Sequence, residues 1–298
     1  MTIAALLLAA GLVGGHLYAA KFEVRGAHVT VWRYAAAGTR RGPPVVVFGE
    51  LGFGRASVGA LAAALQNRGR EVFVPDWRGT GASTGGPPAL AGLESMFEGD
   101  GRAALETALR EGECAQLVGV GLGGAAAYLL ADRACAVVAV NVPARWEVPD
   151  EAVRRLIGAM PPAAEEFGAL GPWLSLPSPL DSREGRDLGE LLLGLRPQSP
   201  LRSRAGRVAP QLAREVLEWM QGGPFAQRLS AAADGLAVPL LLVSSPRDNL
   251  VHPEHALLVK AKHDQLVLSR IEGYADDHPH LPLPPALFHE IASWLESH

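Results

Sequence analysis

The chain alternates short apolar runs with longer segments of helical spacing, and this rhythm predicts an α/β fold. Apolar runs of strand length, bounded by turn residues, lie at 45–48, 71–75, 117–120, 136–140, 239–243 and 265–271. Helices are predicted between and after them, at 57–66, near 100–110, at 125–131, near 254–262 and at 285–296. Before them, residues 22–34 alternate apolar and polar side chains around a glycine, which predicts an antiparallel pair. Strands that alternate with helices are typical of a parallel sheet covered on both faces.

The alternation of strands and helices stops at residue 143 and resumes near 237. Residues 143–236, which we call the lid segment, are broken by prolines and have a helical pattern. Its apolar side chains include Trp146, Trp173 and Trp219. An insertion between two parallel strands is expected to cover the carboxyl edge of the sheet, where open α/β folds bind ligands. The chain then consists of a core in two parts, 21–142 and 237–298, with the lid segment between them.

The N-terminal segment, residues 1–20, forms a further unit. Ile3 to Ala20 has no formally charged side chain, and its length is near the lower limit for a membrane-spanning helix. No Lys or Arg precedes it, which disfavours a cleaved export signal. The basic residues that follow it weakly favour a body on the cytoplasmic side of a membrane. We expect a membrane anchor; an export signal and a packed N-terminal helix are the alternatives.

Composition narrows the function classes. With 48% hydrophobic and 19% charged residues, the 298-residue chain has ample material for a globular core. Its formal net charge of −4 gives no basic footprint for nucleic acid, so no nucleic-acid partner is expected. Nothing in the sequence indicates a metal site or an organic cofactor.

The chain contains 2 cysteines, Cys114 and Cys135, in no metal-binding or redox spacing. Each precedes a predicted strand at a similar offset, so their sulfurs would lie close together if those strands were parallel neighbours. Two separate structural thiols are the favoured interpretation, because cysteine often behaves as a small buried hydrophobe.

A glycine-rich turn joins the strand at 117–120 to the helix at 125–131. Its glycines match the dinucleotide fingerprint G-x-G-x-x-G, but the following strand ends at Asn141 without the acidic residue that a ribose needs. The same turn matches the nucleophile elbow G-x-S-x-G, with Gly121 in the place of the serine. The remaining motifs must separate the two interpretations.

Three further motifs resemble those of the α/β-hydrolases. The segment Asp76-Trp-Arg-Gly-Thr-Gly-Ala-Ser83 is similar to the D-x-R-G-x-G-x-S turn of that family. The segment 245–253 resembles the one that carries the catalytic acid, and 274–281 resembles the loop that carries the catalytic histidine. The resemblance covers roughly residues 43–142 and 238–296. It implies an α/β-hydrolase fold, with a mostly parallel central sheet, helices on both faces and a helical lid insertion.

The resemblance also implies roles for individual residues. Asp248 takes the place of the acid that orients a catalytic histidine. His278 is favoured as that histidine by its distance to the last helix, with His280 as the alternative. The backbone N–H groups of Glu50 and Leu122 take the places of the oxyanion-hole donors. The Glu50 carboxylate is unusual there, because beside the hole it would oppose a developing negative charge.

Gly121 and Glu50 together argue against ordinary ester hydrolysis. We therefore expect a non-catalytic, hydrolase-like protein that binds a small apolar or acyl-containing ligand or a partner. The candidate ligand contacts are Trp146, Trp173 and Trp219. The alternative is an altered hydrolase or lyase, in which a His278–Asp248 dyad activates water in the space at Gly121.

Overall fold

The computed structural model describes residues 8–12, 15–24, 26–84, 92–146, 174–175, 207–208, 210–246, 251, 253–267 and 283–298. The strands are β1 (Leu8–Leu12), β2 (Gly15–Val24), β3 (Ala27–Tyr34), β4 (Val45–Phe48), β5 (Val72–Pro75), β6 (Ala115–Val120), β7 (Ala134–Val140), β8 (Leu174–Ser175), β9 (Arg207–Val208), β10 (Leu240–Ser244) and β11 (Asp264–Val267). The α-helices are α1 (Arg55–Asn67), α2 (Leu93–Ser95), α3 (Arg102–Ala108), α4 (Ala125–Leu129), α5 (Pro210–Met220), α6 (Pro224–Asp234), α7 (Pro253–Ala256) and α8 (Pro285–Ser297). A π-helical stretch, Met96–Gly101, joins α2 to α3.

Among the described residues, nine strands form one sheet in the order β1-β2-β3-β5-β4-β6-β7-β10-β11. The strands from β5 to β11 in this order run parallel to their neighbours. The first three strands pair antiparallel with one another, and β3 pairs antiparallel with β5. The mostly parallel sheet predicted from the sequence is confirmed, including the antiparallel start.

Both faces of the sheet are apolar and covered by helices. In β4, Val45 and Val47 face α1 and α8, whereas Val46 and Phe48 face the side of α3, α4 and α6. Successive strand residues point to opposite faces, so an uninterrupted valine run supplies both cores at once. The carboxyl ends of the central strands then present their loops at one edge, where the candidate site lies.

In its described residues, the N-terminal segment forms strands where a helix was expected. β1 and β2 make an antiparallel hairpin, and β2 continues along β3 with Lys21 opposite Thr30. Among the described residues, no helix has both the length and the apolar character needed to cross a membrane. The expectation of a helix in the described part of residues 3–20 is wrong, and attachment to a membrane stays a prediction.

The two cysteines form a disulfide, so the interpretation as separate thiols is wrong. Cys114 directly precedes β6 and Cys135 lies near the start of β7, and these strands are parallel neighbours. Their similar offsets bring the two Cα atoms to 5.6 Å, within the usual range for a disulfide. The bond lies at the amino edge of the sheet, opposite the edge that carries the glycine-rich turn.

The described part of the lid segment contains both helices and strands. The predicted helical character holds for α5 and α6, whereas β8 and β9 form a short antiparallel pair. The other residues of 147–209 lie outside the described residues, so the predicted boundaries of the lid segment stay predictions. After the lid segment, α7 is shorter than the helix predicted near 254–262, because the N–H groups of Leu258 and Val259 donate to the carbonyls three and two positions earlier, which breaks the i to i−4 pattern.

Candidate functional site

The glycine-rich turn has the backbone geometry of a nucleophile elbow. β6 ends at Val120, and the next residue, Gly121, has a φ of 59° and a ψ of −145° that redirect the chain into a 3-10 turn and then α4. A Cβ on Gly123 would lie 1.9 Å from the carbonyl oxygen of Gly49, and one on Gly119 would lie 2.5 Å from that of Gly124. The crowding explains why glycine occupies these positions. The turn therefore keeps the shape that holds a nucleophile, and glycine stands at its tip.

Glu50 places its carboxylate directly against this turn. The side chain is buried, with 3% of the residue exposed. Its Oε1 accepts a hydrogen bond from the backbone N–H of Leu122 at 3.0 Å and another from the N–H of Leu51 at 2.8 Å. Its Oε2 lies 3.2 Å from the same Leu122 nitrogen. The carboxylate thus binds the N–H group that the resemblance assigns to an oxyanion hole.

The backbone N–H of Glu50, the other expected donor of that hole, also has a partner within the chain. It donates to the hydroxyl oxygen of Ser57 at 2.9 Å, and this hydroxyl donates in turn to the carbonyl of Gly54 at 2.7 Å. Ser57 lies in α1 and is buried. Sequence reasoning missed Ser57, because a serine seven positions after Glu50 belongs to no motif. Its location just after the loop at 49–54 was the available signal.

The turn at 76–83 braces the loop that carries Glu50. Trp77 donates its indole N–H to the Gly49 carbonyl at 2.8 Å and is fully buried. The Asp76 carboxylate accepts hydrogen bonds from the Trp32 indole at 2.7 Å and from the Arg55 N–H at 3.1 Å. This motif therefore positions the neighbouring loop in the present structure.

A buried ion pair holds the same turn against the π-helical stretch. Arg78 and Asp100 are both fully buried, and Asp100 accepts hydrogen bonds from the backbone N–H and the guanidinium of Arg78. Asp100 was not anticipated from the sequence, since the ion pair depends on an irregular helix that the pattern does not reveal.

The predicted acid and histidine lie outside the described residues, as do His280 and Trp173. The strand that leads to Asp248 is described, and its end is tied to β7. Asn141, a buried residue with a φ of 48°, accepts a hydrogen bond through Oδ1 from the Ser245 N–H at 2.7 Å. Asn141 therefore links two strand ends at the edge where the acid is expected, and no acidic residue for a ribose occupies its position.

Trp146 and Trp219 pack against each other at the junction of the lid segment and the core. Their ring centroids lie 5.1 Å apart in an edge-to-face arrangement, and Trp219 is fully buried whereas Trp146 is 5% exposed. Trp219 also packs edge-to-face on Phe225, which contacts Phe97. As candidate ligand contacts, the two tryptophans lie mainly in the packing between α5, α6 and the core.

The helix that follows the turn is mostly buried. Tyr128 in α4 is buried, and burial raises the pKa of its hydroxyl above the usual range for tyrosine. Within the described part of the chain, no group of three or more metal-ligating side chains occurs. The charged group that the described residues bring to the elbow is the Glu50 carboxylate.

Comparison with known proteins assigns the chain to a family. The family model described as serine aminopeptidase, S33, matches residues 52–291. None of the curated protein sequences is significantly similar to the chain.

Solved structures share the fold at low sequence identity. A monoacylglycerol lipase from Paleococcus ferrophilus is 22% identical with a TM-score of 0.58, covering 91% of this chain and 99% of that one. An esterase from Exiguobacterium antarcticum is 14% identical with a TM-score of 0.64, covering 92% and 98% respectively. An enol-lactonase from Burkholderia xenovorans is 18% identical with a TM-score of 0.60, covering 92% and 99%. At these identities the likeness shows the fold alone.

Proposed function

Because the chain belongs to the serine aminopeptidase S33 family of α/β-hydrolases, we propose that it is a member in which ligand binding has replaced acyl transfer. The observation that carries this proposal is glycine at the tip of a well-formed nucleophile elbow. Gly121 has the elbow geometry but offers no hydroxyl to attack a carbonyl carbon. Loss of the nucleophile alone costs a serine hydrolase about six orders of magnitude in turnover.

The ligand proposed is a small apolar or acyl-containing molecule bound at the carboxyl edge of the sheet. Leu51 and Leu122, on either side of the Glu50 carboxylate, are apolar and keep 7% and 8% of their surface exposed. The solved structures of the same fold include a monoacylglycerol lipase and an esterase, which supports an acyl-containing ligand. Neither feature selects a chain length.

Turnover of a panel of chromogenic esters with varied acyl length tests the proposal. We expect the unmodified protein to be as silent as its His278→Ala and Gly121→Ala variants. The His278→Ala change removes the candidate base, and Gly121→Ala adds a methyl group at the elbow without adding a hydroxyl. Ester turnover by the unmodified protein that both changes abolish would contradict the binding proposal.

Ligand binding is measured separately through tryptophan fluorescence. The Trp146–Trp219 pair lies at the junction of the lid segment and the core, so a ligand that settles there should change its emission. Fatty-acid methyl esters of increasing chain length are titrated into the unmodified protein, with Trp146→Phe as the matched control. If no ester changes either the tryptophan emission or the thermal stability of the protein, the proposal of an apolar ligand is contradicted.

The altered-enzyme alternative is supported by one observation, the carboxylate at the elbow. The Glu50 carboxylate lies at the glycine-rich turn, where it would accept a proton from a water molecule bound beside Gly121. The predicted His278–Asp248 dyad would supply a second base. This alternative expects ester or lyase turnover that His278→Ala abolishes and Glu50→Gln reduces. The ester panel therefore separates the two proposals.

A further inference from the structure

Both backbone N–H groups expected to bind an oxyanion are already bound by side chains of the chain itself. The Leu122 N–H donates to the Glu50 carboxylate at 3.0 Å, and the Glu50 N–H donates to the Ser57 hydroxyl at 2.9 Å. We propose that Glu50 closes the oxyanion hole of this protein, so that restoring a serine at position 121 does not by itself restore acyl chemistry. This inference rests on the proposed function, in which the site has lost acyl transfer.

The closure is stable because the carboxylate is part of the same loop. A substrate carbonyl oxygen would have to displace a tethered charge that holds both the Leu51 and the Leu122 N–H groups. The tethered group competes at a high effective concentration, whereas a substrate must pay the full cost of association. Once displaced, the carboxylate would lie beside the developing oxyanion and oppose its charge.

Ser57 adds a second contact of the same kind. Its hydroxyl is held between the Glu50 N–H and the Gly54 carbonyl, and it packs closely on the loop at residue 49. A Cβ on Gly49 would lie 2.6 Å from the Ser57 oxygen, so the loop and the first turn of α1 fit tightly. The loop therefore keeps Glu50 against the elbow without help from a ligand.

Labelling by a fluorophosphonate tests the proposal in three variants. In this reaction the serine oxygen forms a bond to phosphorus as the bond from phosphorus to fluorine breaks, and the hydroxyl proton passes to a base. The variants are Gly121→Ser alone, Gly121→Ser with Glu50→Gln, and Gly121→Ser with Glu50→Ala. The glutamine keeps an oxygen in the hole without the charge, whereas the alanine empties it.

We expect the alanine double variant to be labelled at least about 100-fold faster than Gly121→Ser alone, since one oxyanion-hole donor contributes about that factor or more. The glutamine double variant should stay close to the single variant, because its amide oxygen still accepts both N–H groups. Thermal unfolding checks that each variant is folded. Equal labelling rates in folded variants with and without Glu50→Ala would overturn the proposal.

A second measurement needs neither a serine nor the candidate histidine. In the otherwise unmodified protein, Glu50→Ala should shift the amide proton resonances of Leu51 and Leu122 and speed their hydrogen exchange. The matched control is Glu71→Ala, which removes another buried carboxylate that accepts a backbone N–H, from Ala36, at the opposite edge of the sheet. Amide resonances of Leu51 and Leu122 that are unchanged in Glu50→Ala would overturn the proposal. Ester turnover by the unmodified protein would instead overturn only the proposed function.

Discussion

At the scale of single residues, Glu50 and Ser57 accept hydrogen bonds from backbone N–H groups. An acyl-transfer enzyme leaves the corresponding N–H groups available to its substrate. Active sites commonly cost stability, because their polar groups are held ready for a substrate. Here the N–H groups of Glu50, Leu51 and Leu122 all have partners within the chain. These hydrogen bonds therefore tie the loop at 49–54 to the glycine-rich turn and to α1.

Removal of the Glu50 side chain should destabilise the protein. Glu50→Ala leaves the buried N–H groups of Leu51 and Leu122 without their acceptor, so we expect the free energy of unfolding to fall by about 1–3 kcal/mol. Urea denaturation followed by circular dichroism measures the change. Glu50→Gln serves as the control and should lose less, since its amide oxygen still accepts. Stability that is unchanged or raised in Glu50→Ala would show that these hydrogen bonds contribute nothing.

The sequence reveals which residues stand at the site but not how their side chains are directed. Gly121 and Glu50 are visible as departures from motifs, and the spacing of glycines predicts the elbow itself. The direction of the Glu50 carboxylate depends on N–H groups that come from a loop and from a turn 72 positions away. No local pattern encodes such a contact, and the ion pair of Arg78 with Asp100, 22 positions apart, was missed for the same reason.

At the scale of elements, the disulfide encloses the glycine-rich turn in a covalent loop. Cys114 and Cys135 are 21 positions apart, and the segment between them contains β6, the elbow and α4. The cross-link thus fixes the start of both central strands while the opposite ends carry the site loops. Its effect on stability should come mainly from the unfolded chain, whose freedom it limits.

Reduction of this disulfide should lower the free energy of unfolding by about 3 kcal/mol, the value expected from the entropy of a loop of this length. Urea denaturation with and without a reductant measures the change. The Cys114→Ala/Cys135→Ala variant should match the reduced protein and show no response to reductant. A parent protein whose midpoint is the same in both conditions would contradict a stabilising role.

Elements with a regular spacing of apolar residues were predictable from the sequence. Elements that depend on pairing with another segment of the chain were not. Strands β4 to β7 and helix α8 lie within two residues of the bounds that the apolar pattern predicts. The N-terminal segment carries no polar alternation between residues 3 and 20, and so it matches a helix as well as a strand. The pairing of β2 with β3 determines that this segment forms a strand. Such pairing is a contact between two segments, and the apolar pattern of one segment does not reveal it.

At the scale of the whole molecule, the disulfide bears on where the protein is found. Disulfides persist in oxidising compartments and are rare in the cytosol, whereas the few basic residues after position 20 weakly favour a cytoplasmic body. The two indications disagree. A covalent cross-link between neighbouring core strands is the stronger of them, because so few charges contribute to the other.

We therefore predict that the protein in its native host lies outside the cytosol with Cys114 and Cys135 oxidised. Cells are quenched in acid, and free thiols are then blocked with a small maleimide in denaturing buffer near neutral pH. The protein is next reduced and treated with a polymer-linked maleimide, which shifts the band once per newly exposed thiol. The unmodified protein should shift twice and Cys114→Ala not at all, since its single thiol is blocked at the first step. An unshifted parent protein recovered in the cytosolic fraction would contradict this location.

On the proposal that Glu50 closes the oxyanion hole, a serine at position 121 would be difficult to regain in evolution. A mutation that returns serine to position 121 would restore no acyl transfer while Glu50 fills the oxyanion hole. A mutation that removes Glu50 first would lower the stability of the folded protein without restoring activity. Each single step is therefore neutral or harmful, and only their combination restores a reactive centre. Under this proposal, selection acting one substitution at a time would disfavour the return of a reactive serine.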